Sequence, residues 1–301
     1  MRIAVIMLCH KNLEQINSLI QALEDEDFFF YVHVDKKSNV DRKKICGKNV
    51  YILPKDESIA IQWGGFGMIE ATLRLIERAR SGENDFDYFW LMSGQDYPLW
   101  PVDEIVEFME KHKGEDFIEI LPNEIAFNRG YFKRNELYYP TWMVSNKTYI
   151  KIIKHLLWAV TGGKKSTKIC TRRTVINHFY YGSQWWVLSK HSLEIIMEFL
   201  NKNSWYKNFF KNSLVPDESF FQTLYGMLIG MEKAKPSVCY VNWKENRNSP
   251  EVFTCNDKDR LIEMKNKFLI ARKFDFKIDN SIQNLLIALR KGGCRGNGGI
   301  I

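Results

Sequence analysis

The sequence predicts an α/β protein built on a mainly parallel sheet with helices on both faces. Two observations carry this. Short apolar runs alternate with segments of helical period through residues 2–121, which is the signature of strand–helix–strand units. At 301 residues and 45% hydrophobic, the chain is also long enough to bury a sizeable core.

Residues 2–9 (RIAVIMLC) form an apolar run of strand length. It lacks a small-residue cleavage site, so it reads as a first strand rather than a signal peptide. Leu13, Ile16, Leu19, Ile20 and Leu23 then recur on one helical face. FFFYVHV (28–34) is a second strand and YILP (51–54) a short third. Residues 67–80 read as a helix through Met68, Ile69, Leu73 and Ile76. DYFWLM (87–92) is a fourth strand. VDEIVEFMEKH (102–112) is a helix with acids in its first turn and bases in its last. FIEIL (117–121) is a fifth strand.

The second half is less regular. Residues 149–160 are amphipathic, and a loop at 162–173 carries five cations. WWVL (185–188) reads as a strand, 191–200 as a helix, SVCYVNW (237–243) as a strand and 257–267 as a helix. We expect one catalytic domain over 1–280, with a nucleotide-binding part near 1–122 and an acceptor part near 123–280. Residues 281–301 are expected to be a helix remnant and a disordered Gly-rich tail.

Net charge is +7, from 43 basic and 36 acidic residues. That balance favours an anionic partner. The aromatics are not interleaved with Lys and Arg in an RNA-reading pattern, so nucleic acid is not expected. Six cysteines are scattered without a C-x-x-C pair, the usage of reduced thiols in a cytoplasmic protein. No apolar run reaches the length of a membrane span. The amphipathic stretch and basic loop at 149–173 instead allow peripheral contact with an anionic membrane.

In a sheet of this kind, ligands sit beyond the carboxyl ends of the strands. After the first strand come Cys9, His10 and Lys11; after the second, Asp35, Lys36 and Lys37; after the fourth, Ser93, Gly94, Gln95 and Asp96. Asp35 ends its strand where an acid can bond a ribose or base; a solvated turn is the plain alternative. Three D-x-D triplets occur, at Asp25/Asp27, Asp85/Asp87 and Asp257/Asp259. None follows a strand, where it would hold a divalent cation against a diphosphate. A diphosphate would then need side-chain cations. Arg247, Arg272 and Lys273 offer them. Arg272 and Lys273 lie in an apolar stretch, so at least one should meet an anion; Asp275 is the nearest in sequence.

VPDESFFQTL (215–224) sets Asp217 and Glu218 before an apolar helical run. Asp217 reads as the N-cap accepting the N–H of Phe220, with Phe220, Leu224, Met227 and Leu228 as the buried face. Glu218 is free to point outward.

YVHVDKKS (31–38), IQWGG (61–65), LMSGQDYPL (91–99), GSQWWVLS (182–189), VPDESFFQTL and LIARKFD (269–275) follow one another in an order that resembles the core-2/I-branching family. Those are β-1,6-N-acetylglucosaminyltransferases, with peptide O-xylosyltransferases as relatives. The match runs from about residue 2 to 278, and the chain looks like a short bacterial-type member without the anchor and stem of Golgi relatives. The resemblance implies a GT-A fold and an inverting transfer from a UDP-sugar that needs no metal or other cofactor. It makes Glu218 the base and Lys273 a diphosphate ligand, with Arg247 or Arg272 beside it. Asp35 and the backbone near His10 would hold uridine. Trp63, Gln95, Asp96, Gln184 and Trp185 would shape the sugar and acceptor sites. The acceptor would be a glycan or a lipid-linked glycan. The competing classes are a metal-dependent nucleotidyltransferase and a catalytically silent sugar-binding protein.

Overall fold

The computed structural model describes residues 1–140, 172, 174–243 and 249–292. The amphipathic stretch at 149–160, nearly all of the basic loop at 162–173, Arg247 and residues 293–301 lie outside the described residues.

β1 (Ile3–Cys9) is buried along its whole length. It pairs in parallel with β2 (Phe28–Val34) on one side and β4 (Tyr88–Ser93) on the other. A parallel central strand covered on both faces needs apolar residues at every position, and IAVIMLC supplies them. β3 (Val50–Ile52) continues the parallel set beyond β2. Beyond β4 the sheet turns mixed. β7 (Trp186–Ser189) runs antiparallel to β4 and to β6 (Asp116–Ile118), and β8 (Ala234–Lys235) closes the edge parallel to β6. The seven-stranded order is β3-β2-β1-β4-β7-β6-β8, so the mainly parallel α/β fold expected from the sequence is the fold observed.

Side-chain alternation along β1 divides the core in two. Ile3, Val5, Met7 and Cys9 face one layer with α1 (Leu13–Ala22) and α3 (Val102–Lys111). Ala4, Ile6 and Leu8 face the other with α2 (Gly67–Arg80), α6 (Lys190–Lys202), α7 (Ser204–Phe210) and α8 (Phe220–Leu228). The second layer is aromatic: Tyr206, Phe210, Phe220 and Phe221 pack edge-to-face or tilted.

Two expectations change. A second sheet joins β9 (Cys239–Val241), inside the run read as a strand, to β5 (Asp96–Pro98) and β10 (Ile270–Arg272), which the sequence showed as a loop and an apolar run. Its strands are only three residues long, too short to show a period. α10 (Ile282–Lys291) lies in the segment read as a helix remnant, with Ile282 and Leu286 fully buried. In α8, Met227 is largely exposed, and the buried residues are Phe220 to Tyr225.

Candidate active site

β1, β2 and β4 end at one edge of the large sheet. β7 is antiparallel, so its start lies at that same edge, as does the end of β6. Two groups of side chains are built there.

The first group is cationic. Arg272 stands directly across from Asp96 in the antiparallel β10–β5 pair, and its Nε lies 3.6 Å from Asp96 Oδ1. Asp96 is 0% exposed and also accepts the Ser93 N–H. Burial pushes its carboxyl up to about 6 against the opposing pull of Arg272. Asp96, expected at the sugar site, is thus fully buried and paired with Arg272. Gln95 is buried too and donates to the Phe274 carbonyl at 3.1 Å. Gln15 donates to the carbonyls of Gly94 and Phe274 and accepts the Phe276 N–H. Together these bonds tie residues 272–276 to the ends of β1 and β4.

Asp275 meets Lys11 at 2.6 Å and Asn12 at 2.5 Å. Of the two cations in its own stretch, Arg272 goes to Asp96 instead. Burial alone would raise the Asp275 carboxyl, but the hydrogen bonds from Lys11 and Asn12 outweigh it and hold it low. Lys273 is half-buried and makes no ion pair among the described residues. Burial, then the charges of Lys11 and Arg272, lower its ammonium below the usual lysine range. His10 is held low by the protein crowding its ring and by Lys11 and Lys273. The Asp35 N–H bonds the Cys9 carbonyl at 2.8 Å, so the second strand's acid lies beside the end of β1. Asp35 itself accepts the Lys37 N–H at 2.8 Å.

The second group is acidic and aromatic. A 3₁₀ turn spans Pro216–Glu218. It follows Val215, a β-branched residue in the left-handed region at φ 49, a conformation that costs about 1–3 kcal/mol and persists only where the surroundings enforce it. Val215 N–H bonds to Gly64 O at 2.9 Å, which brings Trp63 alongside. Trp63 is 59% exposed. Gly182 donates its N–H to Glu218 O at 2.9 Å. A Cβ on Gly182 would stand 1.9 Å from Glu119 O, so only glycine lets this strand start pass so close.

Asp217 does not cap α8. It is buried within the turn, one of its oxygens lacks a partner, and α8 starts after Ser219. Burial, with the nearby Glu218 charge, pushes its carboxyl up to about 7. Glu218 is partly exposed, and its Oε2 meets Arg134 Nη1 at 2.5 Å. Gln184 bonds the Met68 sulfur and lines a water-sized cavity with Asp217 and Thr72. Trp185 joins the two groups, since the Arg272 guanidinium lies over its ring at 4.1 Å.

The three D-x-D triplets carry structural bonds. Asp25 caps a turn at Asp27, Asp85 and Asp87 pair with Lys190 and Lys113, and Asp257 forms a capping box with Thr254. Among the described residues, no group of three or more His, Cys, Asp or Glu is placed to hold a metal ion. Arg134 went unnoticed in the sequence, because it sits in a four-residue helix, α5 (Lys133–Glu136), with no periodicity to read.

The carboxyl edge of the mainly parallel α/β sheet thus carries cations, a partly exposed carboxylate and tryptophans. The family model for the Core-2/I-Branching enzyme matches residues 3–265, and the chain belongs to that family. A xylosyltransferase of Ciona intestinalis is 23% identical over 310 residues, covering 95% of this chain and 34% of that protein. Xylosyltransferase 2 of Homo sapiens is 23% identical over 308 residues, covering 95% and 33%. The chain thus spans about a third of the length of these relatives. The S. aureus TarS 1-349 crystal structure covers 48% of this chain and 43% of its own at 14% identity, with a TM-score of 0.27 that is too low to bear on fold or function. No helix among the described residues is long and apolar enough to cross a membrane.

Proposed function

We propose that the chain is an inverting, metal-independent glycosyltransferase that moves a sugar, GlcNAc, from a UDP donor to a hydroxyl of a glycan acceptor. One observation carries this: Arg272 packs on Trp185 while it pairs with Asp96, so the cationic strand ends and the acidic, aromatic wall share one rim. A diphosphate and an acceptor hydroxyl need such neighbours.

The acceptor hydroxyl attacks the anomeric carbon from the face opposite UDP. Its oxygen forms the new glycosidic bond, and its proton passes to Glu218. The anomeric carbon–oxygen bond to the diphosphate breaks, and that electron pair leaves on UDP. Lys273, half-buried and without an ion pair among the described residues, meets the new negative charge. Arg272 keeps Nε and Nη1 without hydrogen bonds among the described residues, which favours it as a second donor. Asp35 and the backbone at His10 hold uridine. Trp63 and Trp185 offer ring faces to sugar C–H groups.

The names of the relatives favour a second donor, UDP-xylose. UDP release from UDP-GlcNAc and UDP-xylose by the purified chain, with and without EDTA, tests both readings. Turnover of one donor that survives EDTA is expected. Inhibition by EDTA that Mn²⁺ reverses contradicts the metal-free mechanism. Calorimetry that detects no UDP binding contradicts the enzyme.

A further inference from the structure

We propose that α5 is a positioning element for Glu218, with Arg134 aiming its carboxylate and Asn135 fixing its backbone; this rests on the assignment of Glu218 as base. Arg134 reaches only Oε2, at 2.5 Å. Among the described residues nothing engages Oε1, which leaves one oxygen anchored and the other open toward an acceptor hydroxyl. The guanidinium is itself fixed, because it lies 3.7 Å from the centre of the Tyr131 ring. Arg134 O also accepts the Leu214 N–H at 2.9 Å, so the same residue holds the chain that enters the Pro216–Glu218 turn.

Asn135 secures the far side of that turn. It is 0% exposed and donates to Ser219 Oγ at 3.1 Å and Tyr181 Oη at 3.2 Å. Arg172 locks Asn135 from behind, donating to its carbonyl at 2.7 Å and to Ser213 Oγ at 2.8 Å. Its guanidinium lies over Phe209 at 3.8 Å. The carboxylate is therefore gripped through its side chain, its entry segment and its exit residue, all from four residues of helix and one arginine. The strained φ of Val215, inside this bracket, is the kind of conformation that such a grip sustains.

A base displaced by about 1 Å loses on the order of 100-fold in rate. The test compares Arg134→Ala, Arg134→Lys, Asn135→Ala and Glu218→Gln. Each is assayed for UDP release from UDP-GlcNAc or UDP-xylose, for UDP affinity by calorimetry and for melting temperature. Arg134→Ala is expected to lower kcat by ~100-fold with UDP affinity within about twofold. Guanidinium ion at non-denaturing concentration should restore part of that loss in Arg134→Ala and none in Glu218→Gln. Arg134→Lys should fall between wild type and Arg134→Ala. Turnover of Arg134→Ala near wild type, while Glu218→Gln is inactive, overturns this inference and leaves the base assignment standing. Full turnover of Glu218→Gln overturns both. Crystal structures of wild type and Arg134→Ala supply an arm that needs no turnover: the Glu218 carboxylate should shift by about 1 Å or more, and an unmoved carboxylate contradicts the inference.

Discussion

Asp217 and Glu218 are adjacent, yet the fold treats them differently. Asp217 is folded inward, where burial raises its carboxyl to about 7 and leaves one oxygen without a partner. Glu218 remains partly exposed and meets an arginine. The sequence leaves Glu218 free to point outward, but it reads Asp217 as a helix cap where the structure has it inside a 3₁₀ turn. A proline followed by two acids looks the same whether the first acid caps a helix or sits in a 3₁₀ turn. Only the Val215–Gly64 bond, made across the fold, decides it. A consequence follows for stability. The folded state binds the Asp217 proton up to about pH 7, whereas the unfolded chain releases it near 4, so stability falls as pH rises between these values. The cost above pH 7 is on the order of 4 kcal/mol. Asp217→Asn is expected to melt several degrees higher than wild type at pH 8, with the gap closing by pH 5. Equal melting temperatures at pH 8 would contradict this burial.

At the scale of elements, those marked by an apolar run or a helical period were legible, β3, β6 and β9 among them, while β5 and β10 were not. The strands β1, β2 and β4 and the helices α1, α2 and α3 carry enough apolar repeats to show their period. β5, β9 and β10 have three residues each, and their pairing is set by partners far away in the chain. That small sheet is what places Arg272 against Asp96. Removing one partner of a buried pair strands the other charge, at a cost of about 3–5 kcal/mol. Arg272→Met should therefore be destabilised by that amount in urea melts at pH 8. The loss should shrink near pH 5, where Asp96 is protonated, because its carboxyl is already raised to about 6. Addition of Asp96→Asn should restore most of the stability. A single mutant as stable as wild type at pH 8 would show that the pair holds nothing together.

For the whole molecule, the sheet order is the organising fact. It brings the segments around residues 10, 35, 95, 184, 218 and 273 to one edge, although they span most of the chain. Each of these segments was visible in the sequence as polar or aromatic residues at one end of an apolar run. What the sequence could not show was their division into a cationic group and an acidic group, or the Arg272–Trp185 contact that joins them. That contact depends on a cross-strand register no local pattern encodes. It also depends on β7 reversing direction, which puts Trp185 at the same edge as the ends of its parallel neighbours. Glu218→Gln tests the resulting account most directly, in a side-by-side assay of sugar transfer and UDP binding. The account predicts that transfer falls by at least ~100-fold while UDP affinity is unchanged. Transfer near the wild-type rate with intact UDP binding would contradict it.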